Sequence, residues 1–132
     1  IPNFLFVKST ENEMKKYIGK HPVDFLHHYY VPHKDTSGNA IGTKGIKPLV
    51  IPDEQMAAFQ QWYAIRDDNK LFIADDKMHF TKDQQVKVIG GKFAGMCGRV
   101  CHIKGQSRIG IVVSGVGTIF TAYIPKGMLK KV

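Results

Sequence analysis

Residues 88–100 read VIGGKFAGMCGRV: four glycines set around one phenylalanine, with strand-like sequence on either side. So much backbone freedom suits either a phosphate cradle or a tight turn. A phosphate-binding P-loop needs G-x-x-x-x-G-K-[ST] between a strand and a helix. Gly90-Gly91 is followed by Lys92, but no helical pattern follows Gly95 or Gly98. A dinucleotide fingerprint needs a βαβ unit, and RVCHI after Gly98 alternates like a strand. The turn reading fits better. A strand through Val86–Ile89 reaches Gly90-Gly91, which can take positive φ. Phe93 then folds back as an apolar plug and Gly95 allows a second bend. Gly98 lets the next strand approach closely.

Outward from that stretch the same texture continues. Short alternating runs recur at 85–89, 98–103, 109–113 and 119–124, separated by glycine turns. This is the pattern of a small antiparallel barrel over residues 79–132. A domain that small buries only about 60% of its unfolded surface, so modest stability is expected.

The first half reads differently. NFLFVK (3–8) alternates as a strand with apolar residues on both faces. Thr10 with Glu13 forms a capping box, so a helix begins there, carrying Met14, Tyr17 and Ile18. FLHHYYV (25–31) predicts a second strand, residues 32–47 a long polar hairpin connection, and Leu49–Ile51 a third strand. Pro52 opens a second helix with Asp53 and Glu54 in its first turn. Met56, Phe59, Trp62 and Tyr63 form its expected buried side. Asp67-Asp68-Asn69 stops it, and residues 67–78 read as an acidic linker in which Leu71-Phe72-Ile73 can form a short strand.

Charge separates the two halves. Residues 1–78 carry ten basic and ten acidic side chains. Residues 79–132 carry nine basic residues and only Asp83 as an acid, which accounts for the whole net charge of +8. That asymmetry points the second half at a polyanion or an acidic protein surface. Hydrophobic residues make up 43% of the chain, enough for a packed core. No apolar run approaches the roughly 18 residues of a membrane span, and no export signal opens the sequence. Two cysteines make no disulfide framework, so the expected compartment is a reducing cytoplasm.

Chemistry finds little purchase. Cys97 and Cys101 lie four apart beside His102, but no second ligand pair completes a zinc site; the thiols are expected buried or half-buried. His27 and His28 point to opposite faces of a strand. No acid pair, Ser-His-Asp order or H-E-x-x-H stands out, so no catalytic residue, metal or cofactor is assigned and no enzyme is expected.

The glycine stretch resembles a KOW motif, G-x-[FY]-x-G-x-x-G-x-V, with Gly91, Phe93, Gly95, Gly98 and Val100 at its fixed positions. FTKDQQVKV resembles its lead-in and IPKGMLKKV its closing strand. In the first half, IPNFLFV and PLVIPDEQMAAF resemble segments of the NusG amino-terminal domain. The order of modules resembles transcription elongation and antitermination factors of the NusG, RfaH and UpxY type. The implied architecture is α+β: a NusG amino-terminal α/β sandwich (antiparallel sheet with helices) over 1–66, a linker over 67–78, and an SH3-like KOW β-barrel over 79–132. The family's first strand and helix have no counterpart, so the sandwich is expected to be truncated, with something preceding Ile1 and an exposed edge that self-associates.

The resemblance also implies partners. The amino-terminal domain would dock on the clamp helices of RNA polymerase through Pro2, Asn3, Phe4, Phe6, Tyr29 and Tyr30. The KOW module would contact a second partner. The family's partner-binding turn reads SGVG here (114–117), leaving Val116 as its apolar anchor. Nucleic acid or an acidic protein is then expected at Lys92, Arg99, Lys104, Arg108, Lys126, Lys130 and Lys131. The alternative function is a ribosome-associated or RNA-binding KOW protein.

Overall fold

The computed structural model describes residues 4–22, 26–32, 46–77, 80 and 84–132. The chain divides into two compact units, Ile1–Val50 and Ile51–Val132. Among the described residues the class is mixed α+β, with two α-helices, a two-stranded ladder and a six-stranded antiparallel open sheet.

In the first unit, α1 (Glu11–Met14) begins where the capping box puts it. The Thr10 hydroxyl accepts from the Glu13 backbone N–H at 3.2 Å. Two short strands, β1 (Tyr30–Pro32) and β2 (Ile46–Pro48), pair antiparallel with Val31 opposite Lys47. The Leu49 N–H donates to the Tyr29 carbonyl at 2.6 Å. Three strand expectations are corrected here. Residues 4–8 join no ladder, the strand expected over 25–31 is confined to Tyr30–Pro32, and the one expected over 49–51 forms instead at Ile46–Pro48. Alternation alone does not make a strand, because the backbone groups of an extended segment need a partner. Most of the expected 32–47 connection lies outside the described residues.

In the second unit, α2 (Asp53–Ala64) follows Pro52, with Asp53 and Glu54 in its first turn at the positive end of the helix dipole. Gln55, Phe59 and Trp62 recur at helical spacing and face the sheet. Phe59 and Trp62 are buried, and the Trp62 indole Nε1–H donates to the Phe120 carbonyl at 2.9 Å. The Gln55 amide bonds both the backbone N–H and the hydroxyl of Ser114, at 2.7 and 3.0 Å. Tyr63 is a correction: it is 70% exposed, its ring stacked on the outer side of Phe59. The sheet covers only one arc of the helix, and Tyr63 falls just outside it.

The sheet comprises β3 (Leu71–Ile73), β4 (Gln85–Val88), β5 (Cys97–Ile103), β6 (Gln106–Val113), β7 (Gly117–Phe120) and β8 (Leu129–Lys131). They lie in the order β3-β7-β6-β5-β4-β8, every neighbouring pair antiparallel. The expected closed barrel is not found. The outer edge of β7 is taken by β3, β8 pairs with β4, and the two ends of the ladder are not bonded to each other. Helix α2 and strand β3, read from sequence as first module and linker, thus pack in the same unit as the meander. Between β5 and β6, Lys104 and Gly105 both have positive φ (53° and 76°), as a two-residue primed hairpin turn requires.

The core is built from alternate positions. Val86 and Val88 of β4 are buried while Gln85 and Lys87 are exposed. Val88, Ile109, Val113, Ile119 and Phe120 are fully enclosed.

Candidate functional site

The glycine stretch forms a double bend. Gly91 and Gly95 take φ of +79° and +92°, and the Gly95 N–H returns to the Val88 carbonyl at 2.8 Å. Phe93, between them, is 3% exposed and plugs the base of the sheet. A Cβ at Gly98 would stand 2.5 Å from the Gly110 carbonyl oxygen, so only glycine fits where β5 crosses β6. Val100 is half-buried opposite Ile109. These geometries match the turn reading, and β5, not a helix, follows the bend.

In the first unit, Phe4, Phe6 and Tyr29 come together. The Phe4 ring meets Tyr29 edge-on at 4.8 Å and Phe6 at 6.3 Å between centroids. Phe4 and Phe6 are half-buried, and Tyr29 is about half exposed. Tyr30 turns away from this cluster to meet His28 edge-on at 5.9 Å. Leu5 is exposed beside the cluster. Pro2 and Asn3 lie outside the described residues.

The seven selected cations do not form one group. Arg108 is a correction. It is buried, and its guanidinium donates to the carbonyls of Asn69 and Thr121. It ties the Asp67–Lys70 turn to the sheet and is not available to an outside partner. Arg108, Ile109 and Gly110 are consecutively buried, so period two fails where both faces of β6 are covered. Lys92 leans toward Asp67 at 3.9 Å and the Arg66 carbonyl at 3.4 Å. Lys104 sits in the β5–β6 turn, Lys126 in the 3-10 turn before β8, and Lys130 and Lys131 on β8; all four are exposed.

Arg99 belongs to a set that sequence reasoning missed in part. Its guanidinium lies 5.7 Å from the centre of the Phe80 ring. On the ladder, Gln85 stands opposite Arg99, and Lys87 stands opposite both Cys97 and Lys130. Directly opposed residues share a face, so Lys130, Lys87, Gln85 and Arg99 lie on one exposed face. Lys87 could have been found from its place between Val86 and Val88. Phe80 could not, because nothing local says which strand its ring will cover.

The expected partner turn is engaged internally. Ser114 is held by Gln55, the Gly115 N–H donates to Asp76 at 2.7 Å, and Val116 is buried. Val116 therefore presents no apolar anchor. Of the two thiols, Cys101 is buried, and burial pushes its pKa above the usual value of 9.0; Cys97 is exposed, which corrects the expectation for that residue. Among the described residues, no group of three or more His, Cys, Asp or Glu is placed to hold a metal ion, and no helix is long and apolar enough to cross a membrane. The arrangement offers rings and cations, which are groups suited to binding.

Comparison with known proteins found no matching family, no matching curated protein and no matching solved structure.

Proposed function

We propose that this chain is a NusG-like transcription elongation or antitermination factor, acting in the cytoplasm by binding and not by bond chemistry. The first unit would dock on the clamp helices of RNA polymerase and the second would reach another partner. The observation that carries this reading is the cluster of Phe4, Phe6 and Tyr29, with Tyr29 about half exposed and Leu5 exposed beside it. Rings left at a surface are the usual anchors of a protein interface. Polymerase would respond by population shift: a factor that binds the closed clamp better holds it closed and suppresses pausing.

The second unit supports the finer fold reading. Strands β4 to β7 form a meander, and β8 returns beside β4. That order is the one an SH3-like KOW module would have, with β3 as an added edge. The buried Val116 argues for a partner of different chemistry from the apolar contact the resemblance implies.

The test is capture of RNA polymerase core by the tagged chain. Phe4→Asp or Tyr29→Asp should weaken capture at least tenfold; retention at the unchanged level would sink the assignment of the patch. A second reading, an RNA-binding or ribosome-associated KOW protein, is favoured by the run 84–132, which contains no acidic residue. Tight binding to structured RNA with a steep salt slope, together with no capture of polymerase, would select it.

A further inference from the structure

The exposed face of β4, β5 and β8 carries three cations and no acid of its own. Lys87 and Lys130 stand directly opposite each other on the ladder. Like charges so placed repel and destabilise a sheet. Lysines on an edge strand have an ordinary explanation, protection against edge-to-edge pairing, and that accounts for Lys130 and Lys131. It does not account for Lys87, which lies on an inner strand between β5 and β8. Neither lysine is among the ion pairs of the described residues. An anion seated between them would turn the repulsion into attraction.

Two further features lie on the same face. Arg99 is placed over the half-buried Phe80 ring, and Phe80 in turn lies over Gly110, where a Cβ would stand 2.5 Å from the ring. Glycine at 110 is thus what lets the Phe80 ring approach the sheet this closely. Beside this ring runs a cleft of about 730 Å³ whose other wall is α2, through Ala57, Ala58 and Gln61, with Glu54 the one acidic side chain on that wall. That volume lies within the range of small-ligand pockets, roughly 300–1,000 Å³, so an unstacked base fits beside Phe80.

We propose that this face binds single-stranded nucleic acid, with Lys87 and Lys130 on the phosphodiester backbone and the Arg99 guanidinium, backed by the Phe80 ring, as the stacking surface for a base. Cations that track a backbone next to an aromatic ring are the general means of holding single strands. A duplex keeps its bases stacked inside and leaves that surface nothing to receive. The inference names the second partner left open in the proposed function, but it rests on the sheet face alone.

The experiment is fluorescence anisotropy of the full chain with labelled oligouridine, oligothymidine and a duplex of equal length, from 50 to 200 mM salt. Single strands of both kinds should bind more tightly than the duplex. Each phosphate contact on a single strand contributes about 0.7 to the log–log salt slope. Lys87→Gln with Lys130→Gln should therefore lower the slope by about 1.4 and weaken binding roughly 25-fold at 0.1 M salt. Phe80→Leu keeps an apolar side chain at that position but removes the ring; it should weaken binding at least about fivefold and leave the slope unchanged. Trp62 emission checks that each variant is folded, and Lys15→Gln with Lys20→Gln in the first unit is the control. Equal or tighter duplex binding, an unchanged slope in the double lysine variant, or a preference for polyglutamate over oligonucleotide each overturns the proposal. Polymerase capture is scored separately, so loss of one activity with retention of the other shows which reading has failed.

Discussion

The two units use aromatic side chains in opposite ways. Between Ile51 and Val132, Phe59, Trp62, Phe93 and Phe120 are all at most 6% exposed and tied into a shared core. Between Ile1 and Val50, the Phe4 ring meets Phe6 and Tyr29 edge-on, with Phe4 and Phe6 half-buried and Tyr29 about half exposed. Burial of an aromatic ring is among the larger single contributions to folding. The second unit therefore draws stability from enclosed rings, whereas in the first the described rings are only partly covered.

The strongest blow to that contrast is Trp62→Ala. It removes a buried ring and leaves the Phe120 carbonyl without its donor, so the second unit should lose about 3–5 kcal/mol. Denaturation followed by circular dichroism reads this, and a loss below about 1 kcal/mol would deny that α2 belongs to that core. Next comes Gly98→Ala. The added methyl must displace the Gly110 carbonyl, 2.5 Å away, at a cost of about 1–3 kcal/mol by the same measurement. A neutral result would mean that β5 and β6 are further apart than described.

A smaller effect concerns Cys101. Burial raises the Cys101 pKa, so the folded protein favours the protonated thiol more than the unfolded chain does. That contribution is fully present below the ordinary thiol value of 9.0 and is lost as pH rises through the raised folded value. Cys101→Ala should flatten the alkaline fall in stability; an alkaline curve unchanged from the parent protein would contradict the assigned burial. The smallest effect is expected from Phe4→Ala, which should shift the Trp62-reported transition by less than about 0.5 kcal/mol while weakening polymerase capture. A large shift would show that the second unit's stability depends on the first.

What the sequence disclosed follows the same division. Local chemistry was readable: the Thr10 cap, the Pro52 start of α2, and the bends at Gly91 and Gly95 all depend on residues within one turn of themselves. The meander from β4 to β7 was readable because period two and glycine turns are also local. Strand partners were not. NFLFVK has the apolar pattern of a strand, but its described residues 4–8 join no ladder, and the Leu71–Ile73 stretch, read as linker or short strand, gained its partner β7 from far along the chain. The closed barrel failed for that reason, since pairing with β3 takes up the outer edge of β7. In the candidate sites, Arg108 and Lys87 show how a cation's role is set by which face is covered. Arg108 looked like a contact residue and is buried, whereas Lys87 was passed over and is exposed beside Lys130.

The turn at Lys104-Gly105 bears on the order in which the second unit assembles. It joins β5 to β6 through two residues, so that hairpin closes with little loss of chain entropy. Strands β3 and β8 must wait for partners distant in sequence, which makes them late arrivals in a route governed by contact order. Kinetic φ-values should accordingly be high at Ile109 and low at Leu129, and the reverse ranking would place nucleation elsewhere.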